Sequence, residues 1–133
     1  MKPKAIFFKI ENVAQKLTRI IRIAHYHFLR KEALLILAPN EKAVKYVDEL
    51  LWKEPIEGFL PHKVATENCS DILVITEKAQ NLNNAIFAIN LCPQMPLQGF
   101  SQVYDFAEKE KRVVFEKKSL QYQKLGYDIE TGN

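Results

Sequence analysis

Four short, nearly continuous apolar runs constrain this chain most: Ala5–Ile10, Ala33–Ala38, Ile72–Thr76 and Ala85–Leu91. A strand open to water on one side alternates apolar and polar residues, so unbroken runs of this length mark strands covered on both faces. Such strands imply a largely parallel central sheet with helices packed on it. Between the first two runs, Val13, Leu17, Ile20, Ile21, Ala24 and Phe28 recur at a spacing that follows one face of an α-helix. Asn12 is placed to cap that helix, with Gln15 completing a capping-box pattern, and Arg30 and Lys31 suit the negative end of its dipole. A second helix is expected after Pro39-Asn40, turning Ala43, Val47, Leu50 and Leu51 inward and stopping before Pro55. The pattern is strand, helix, strand, helix, as in an α/β domain of three layers.

At 133 residues the chain is expected to form one domain over residues 1–133. Its 47% apolar and 26% charged content suits a packed core and excludes a disordered tail. The longest apolar runs fall well short of the ~20 residues that span a bilayer. Residues 1–10 lack a long apolar segment and a small-residue cleavage site, so a cytoplasmic protein without a membrane partner is expected. Cys69 and Cys92 have no CxxC neighbour and no histidine at ligand spacing, and read as reduced thiols. A net charge of +3 over 35 charged groups argues against strong direct DNA binding, which calls for a dense basic stripe. The charged stretch from Val103 to about Leu125 carries only a broken inner stripe, and a terminal helix or two on the rim, closed by Gly126, is expected there.

Catalytic and cofactor chemistry find little support. The first strand-to-helix crossing, Lys9-Ile10-Glu11-Asn12, has no glycine to admit a phosphate, and none of Gly58, Gly99, Gly126 and Gly132 belongs to a nucleotide-binding loop. His25 and His27 point to different sides of a helix and read as surface or rim residues rather than as a metal pair. His62 has no acid or nucleophile placed beside it by sequence, and Ser101 and Ser119 lack a nucleophile-elbow context. No catalytic residue, cofactor or metal is assigned. The alternative is a small α/β enzyme or nucleotide-binding protein with a cleft at the strand carboxyl ends.

Two stretches carry a more specific signal. Val47-Asp48-Glu49-Leu50-Leu51-Trp52, followed by Phe59-Leu60-Pro61-His62, resembles the "LDExLW" helix end and "F-(L/V)-P-H" loop of the chi subunit of DNA polymerase III, with its spacing kept. Val103-Tyr104-Asp105-Phe106 and Tyr122-Gln123-Lys124-Leu125-Gly126-Tyr127 are similar to that family's "VxDF" and "YxxxGY/F" elements. The resemblance implies a Rossmann-like fold used without nucleotide and a non-catalytic accessory role in the clamp-loader complex. It also implies two partners, the psi subunit and the acidic, Phe-ending tail of the single-stranded-DNA-binding protein.

On that resemblance Trp52, Phe59, Pro61 and His62 are the expected psi-facing residues, whereas without it Trp52 and Phe59 read first as residues that close the core. Arg112 is the positional match to a basic residue of the tail site, with Lys109, Lys117, Lys118 and Tyr122 around it. Glu116 and Ser119 depart from the pattern, standing where the family commonly has Arg and an aromatic residue.

Overall fold

The computed structural model describes residues 2–53, 60–93 and 96–132. Its strands are β1 (Lys4–Ile10), β2 (Leu34–Leu37), β3 (Lys63–Val64), β4 (Leu73–Thr76), β5 (Phe87–Asn90), β6 (Gln102–Glu108) and β7 (Asp128–Gly132). The helices are α1 (Val13–Leu29), α2 (Glu41–Lys53) and α3 (Arg112–Lys124). Among the described residues the strands form one sheet in the order β3-β4-β2-β5-β6-β1-β7, every pairing parallel. This is the three-layer, Rossmann-like α/β arrangement that the apolar runs imply. All four residues of β2 and of β4 are buried, as strands covered on both faces must be.

Parallel strands joined through helices cross over in the right-handed sense, so direction of travel decides the face. From β1 through β2 to β3 the chain moves one way across the sheet, placing α1 and α2 together. From β6 to β7 it moves the other way, placing α3 opposite. The buried clusters agree. Ile20, Ile23, Val44 and Leu51 share one with Ile36 and Ile75, whereas Tyr122 shares the other with Phe7, Leu35 and Val103.

Local signals act as their chemistry requires. Asn12 Oδ1 accepts from the Gln15 amide at 2.9 Å and Gln15 Oε1 accepts from the Glu11 amide at 2.8 Å, closing the start of α1. Asn40 Oδ1 does the same for the Ala43 amide of α2 at 2.9 Å. The Tyr122–Tyr127 motif is a helix stop. Gly126 takes a φ of +92°, the Gly126 amide donates to Gln123, the Tyr127 amide donates to Tyr122, and the two tyrosine rings meet at 5.2 Å. Those are the two backbone bonds and the side-chain contact of a Schellman motif.

Three expectations change. Gln102–Glu108 is a central strand rather than the start of a rim helix, because Val103 and Asp105 turn to the α3 face while Tyr104 and Phe106 fill the other. On α1 the expected Ile20 and Ala24 are buried and Leu17, Ile21 and Phe28 pack against the same cluster, but Val13 is exposed and Ile23 and His27 join the inner face. His27 is therefore a core residue, 1% exposed, and not a surface one. The interior accepts it because both ring nitrogens are satisfied: Nδ1 lies 2.9 Å from Glu32 Oε1 and Nε2 2.8 Å from the Tyr104 hydroxyl, which also accepts from Gln102 at 2.8 Å. Burial pushes the His27 ring down from its ordinary 6.5, outweighing the pull of Glu32, and pushes the Tyr104 hydroxyl up to about 12.

Candidate functional site

The expected psi-facing residues lie at the carboxyl end of α2. Val44, Val47, Leu50 and Leu51 bury one side of that helix, which leaves Tyr46 and Trp52 on its outer side, 50% and 46% exposed. Asp48 Oδ1 takes the Trp52 indole N–H at 3.1 Å and His62 Nε2 at 2.7 Å. His62 Nδ1 donates to the Leu60 carbonyl, its side chain is buried, and its ring centroid lies 4.5 Å from that of Trp52. Leu60 is buried and its amide donates to the Leu51 carbonyl, which carries the Leu60–His62 segment back onto α2. Pro61 is exposed on the same segment. Phe59 lies outside the described residues.

The residues expected to hold the acidic tail divide between surface and interior. Arg112, Lys109 and Lys117 are exposed, and Arg112 Nε donates to Glu116 Oε1 at 3.0 Å one turn along α3. Lys118 and Tyr122 point inward and are 4% and 0% exposed. Beside them Pro93, Val113, Val114, Lys117 and Gln121, with the stem of Lys118, line an open groove of about 330 Å3. Val113 and Leu120, 75% and 59% exposed, add apolar surface to the same helix. The structure thus brings a cation, an apolar groove and a competing carboxylate together on α3. Sequence reasoning did not name Val113 or Pro93; the only signal was an apolar residue interrupting a charged run.

The carboxyl ends of the central strands, where a Rossmann-like protein holds its ligand, are filled by the chain's own side chains. Asp105 accepts from Lys118 Nζ at 2.9 Å, the Phe106 amide at 2.8 Å, the Tyr122 hydroxyl at 2.8 Å and Asn90 Nδ2 at 3.2 Å. Lys118 also donates to the Cys92 carbonyl. Burial pushes the Asp105 carboxyl up, opposed by the Lys118 ammonium and these hydrogen bonds, and burial likewise pushes the Cys92 thiol up. What remains open there is about 190 Å3, below the roughly 300–1,000 Å3 of ordinary ligand pockets. A separate open concavity of about 670 Å3 runs along α1 past Lys9, Asn12, Gln15 and Arg22 and contains none of the expected residues.

No significant match is found among curated proteins. A family model does match, and its coverage is nearly complete. Residues 2–130 of the 133 fit the model for the DNA polymerase III chi subunit, HolC, and the chain belongs to that family.

Proposed function

We propose that this chi-family protein is a non-catalytic bridge in the DNA polymerase III holoenzyme, holding psi at the carboxyl end of α2 and the tail of the single-stranded-DNA-binding protein along α3. The carrying observation is that the two surfaces lie on opposite faces of the sheet. Strands are spaced about 4.8 Å apart, so α2 over β4 and α3 between β6 and β7 are also offset by about 19 Å across the strands. Two partners seated there do not collide, which a linker protein requires.

At the α2 surface Trp52 is the anchor, with Pro61 beside it, His62 beneath it and Phe59 completing the expected set. Buried aromatic anchors supply most of the binding energy of such contacts. Along α3, Arg112, Lys109 and Lys117 face solvent and meet the tail's carboxylates, the Val113–Pro93 groove takes its terminal aromatic ring, and Lys118 and Tyr122 fix the helix from within. The protein works in the cytoplasm and without a cofactor.

The test is an anisotropy titration with the tail peptide of the same organism's single-stranded-DNA-binding protein, repeated without the terminal Phe and with Arg112→Ala, alongside a titration with psi. Saturable tail binding that needs the Phe, weakens in the variant and falls steeply with salt is expected. Absence of both interactions at high micromolar concentration overturns the reading, and thermal stabilisation by a nucleotide instead would point to a ligand-binding protein on this fold.

A further inference from the structure

Trp52 is half exposed on the last turn of α2. An indole left free lies down on the nearest apolar surface or samples several orientations, and ordering it on binding costs affinity. One carboxylate oxygen removes that freedom. Asp48, four residues back on the same helix and only partly exposed, accepts from the indole N–H at 3.1 Å and from His62 Nε2 at 2.7 Å. Those two bonds converge on a single oxygen, so neither ring can turn without disturbing the other. The buried imidazole then backs the indole in a tilted contact, with a centroid distance of 4.5 Å and 47° between the ring planes, and the Leu60 carbonyl holds the far side of the imidazole.

We infer that Asp48 is a positioning residue for the partner surface: its carboxylate locks Trp52 and His62 into one rigid aromatic pair, so that the indole meets the partner already in its bound orientation. The partner class follows from the surface, an apolar segment seated against the outer indole face. The inference rests on the psi-binding reading for the identity of that partner, but not for the existence of the lock.

The chain contains one tryptophan, so intrinsic fluorescence reads this cluster alone. The experiment compares the full-length protein with Asp48→Ala, Asp48→Asn and, as a charge control at the far end of α2, Glu41→Gln. Emission wavelength, steady-state anisotropy and psi affinity are measured for each. Asp48→Ala should shift Trp52 emission to the red, lower its anisotropy and weaken psi binding roughly three- to tenfold, the cost of ordering one or two side chains. Asp48→Asn keeps one acceptor and should fall between, while Glu41→Gln should match the parent.

Unchanged anisotropy in Asp48→Ala overturns the lock, and lowered anisotropy with unchanged affinity overturns its role in binding. If Asp48→Ala does not fold, Asp48→Asn decides by the same criteria. A parent protein that binds no psi overturns the bridging reading instead, and leaves the fluorescence to decide whether Asp48 holds the rings.

Discussion

Two helices of this protein use the same chemistry to opposite ends. On α2 a carboxylate near the surface ties two aromatic rings together and holds one of them out toward solvent. Behind α3 a carboxylate in the core ties a lysine and a tyrosine together and holds the helix down. The difference follows from what else each helix has. α2 buries Val44, Val47, Leu50 and Leu51, and needs no polar attachment to the sheet. α3 fully buries only Lys118 and Tyr122, with Phe115 and Val114 half covered, so the hydrogen-bonded ion pair adds to the packing of the Phe115 and Tyr122 rings on Phe7 in holding the helix down. A polar cluster can therefore shape a surface where packing already suffices, or supplement packing where it is sparse.

The comparison is broken most forcefully at Lys118. Lys118→Met leaves Asp105 charged and buried without its cation, and a loss of about 3–5 kcal/mol in urea unfolding is expected. Adding Asp105→Asn removes the stranded charge, so the double variant should recover much of that loss. A double variant as unstable as the sum of the singles would show that the pair does not act as a unit. On α2 the matching cut, Asp48→Ala, should cost no more than about 1–2 kcal/mol, the value of hydrogen bonds at a partly exposed site.

A third polar cluster, Glu32–His27–Tyr104, sharpens the contrast through pH. His27 is held below its ordinary 6.5 in the folded protein, so below that pH the unfolded chain takes up a proton more readily than the folded one. Stability should accordingly fall as pH drops from about 6.5 toward the lowered folded value, then level. Burial pushes the Glu32 carboxyl up, but hydrogen bonds from His27 and Arg30 outweigh it and leave the group below its ordinary 4.5. Its contribution is present above that pH and is lost as pH falls through the folded value, a second and lower window. Urea midpoints across this range should show the upper step in the parent and not in His27→Gln. The smallest effect belongs to the surface of α3: Glu116→Gln frees Arg112 from an exposed partner, and tail-peptide affinity should rise roughly twofold, in line with the value of an exposed helical ion pair.

Legibility in the sequence tracked how local each signal was. The apolar runs of β1, β2, β4 and β5, the caps at Asn12 and Asn40, and Gly126 as a stop each depend on near neighbours, and each could be read. Trp52 could be placed off the inner stripe of α2 from spacing alone. β6 could not, because Asp105 interrupts its apolar pattern and the cation that makes that acid tolerable is 13 residues on, across the sheet and helix. His27 was misread for the same reason, its hydroxyl partner Tyr104 being 77 residues away. The Asp48–Trp52–His62 cluster lay between these cases: its three residues stood out in the motif, but nothing in the spelling said that one carboxylate oxygen joins them.

The parallel pairing of β1 with both β6 and β7 also bears on biosynthesis. β1 hydrogen-bonds only to β6 and β7, one on either side, so both of its edges stay bare until strands far along the sequence have formed. Those contacts pair Lys4 with Gln102 and with Asp128, and such long sequence separations fold slowly. Closure of the sheet around β1 consequently waits for β6 and β7, and loss of β7 would leave β1 with an open edge, the kind of site at which incompletely folded chains adhere to one another.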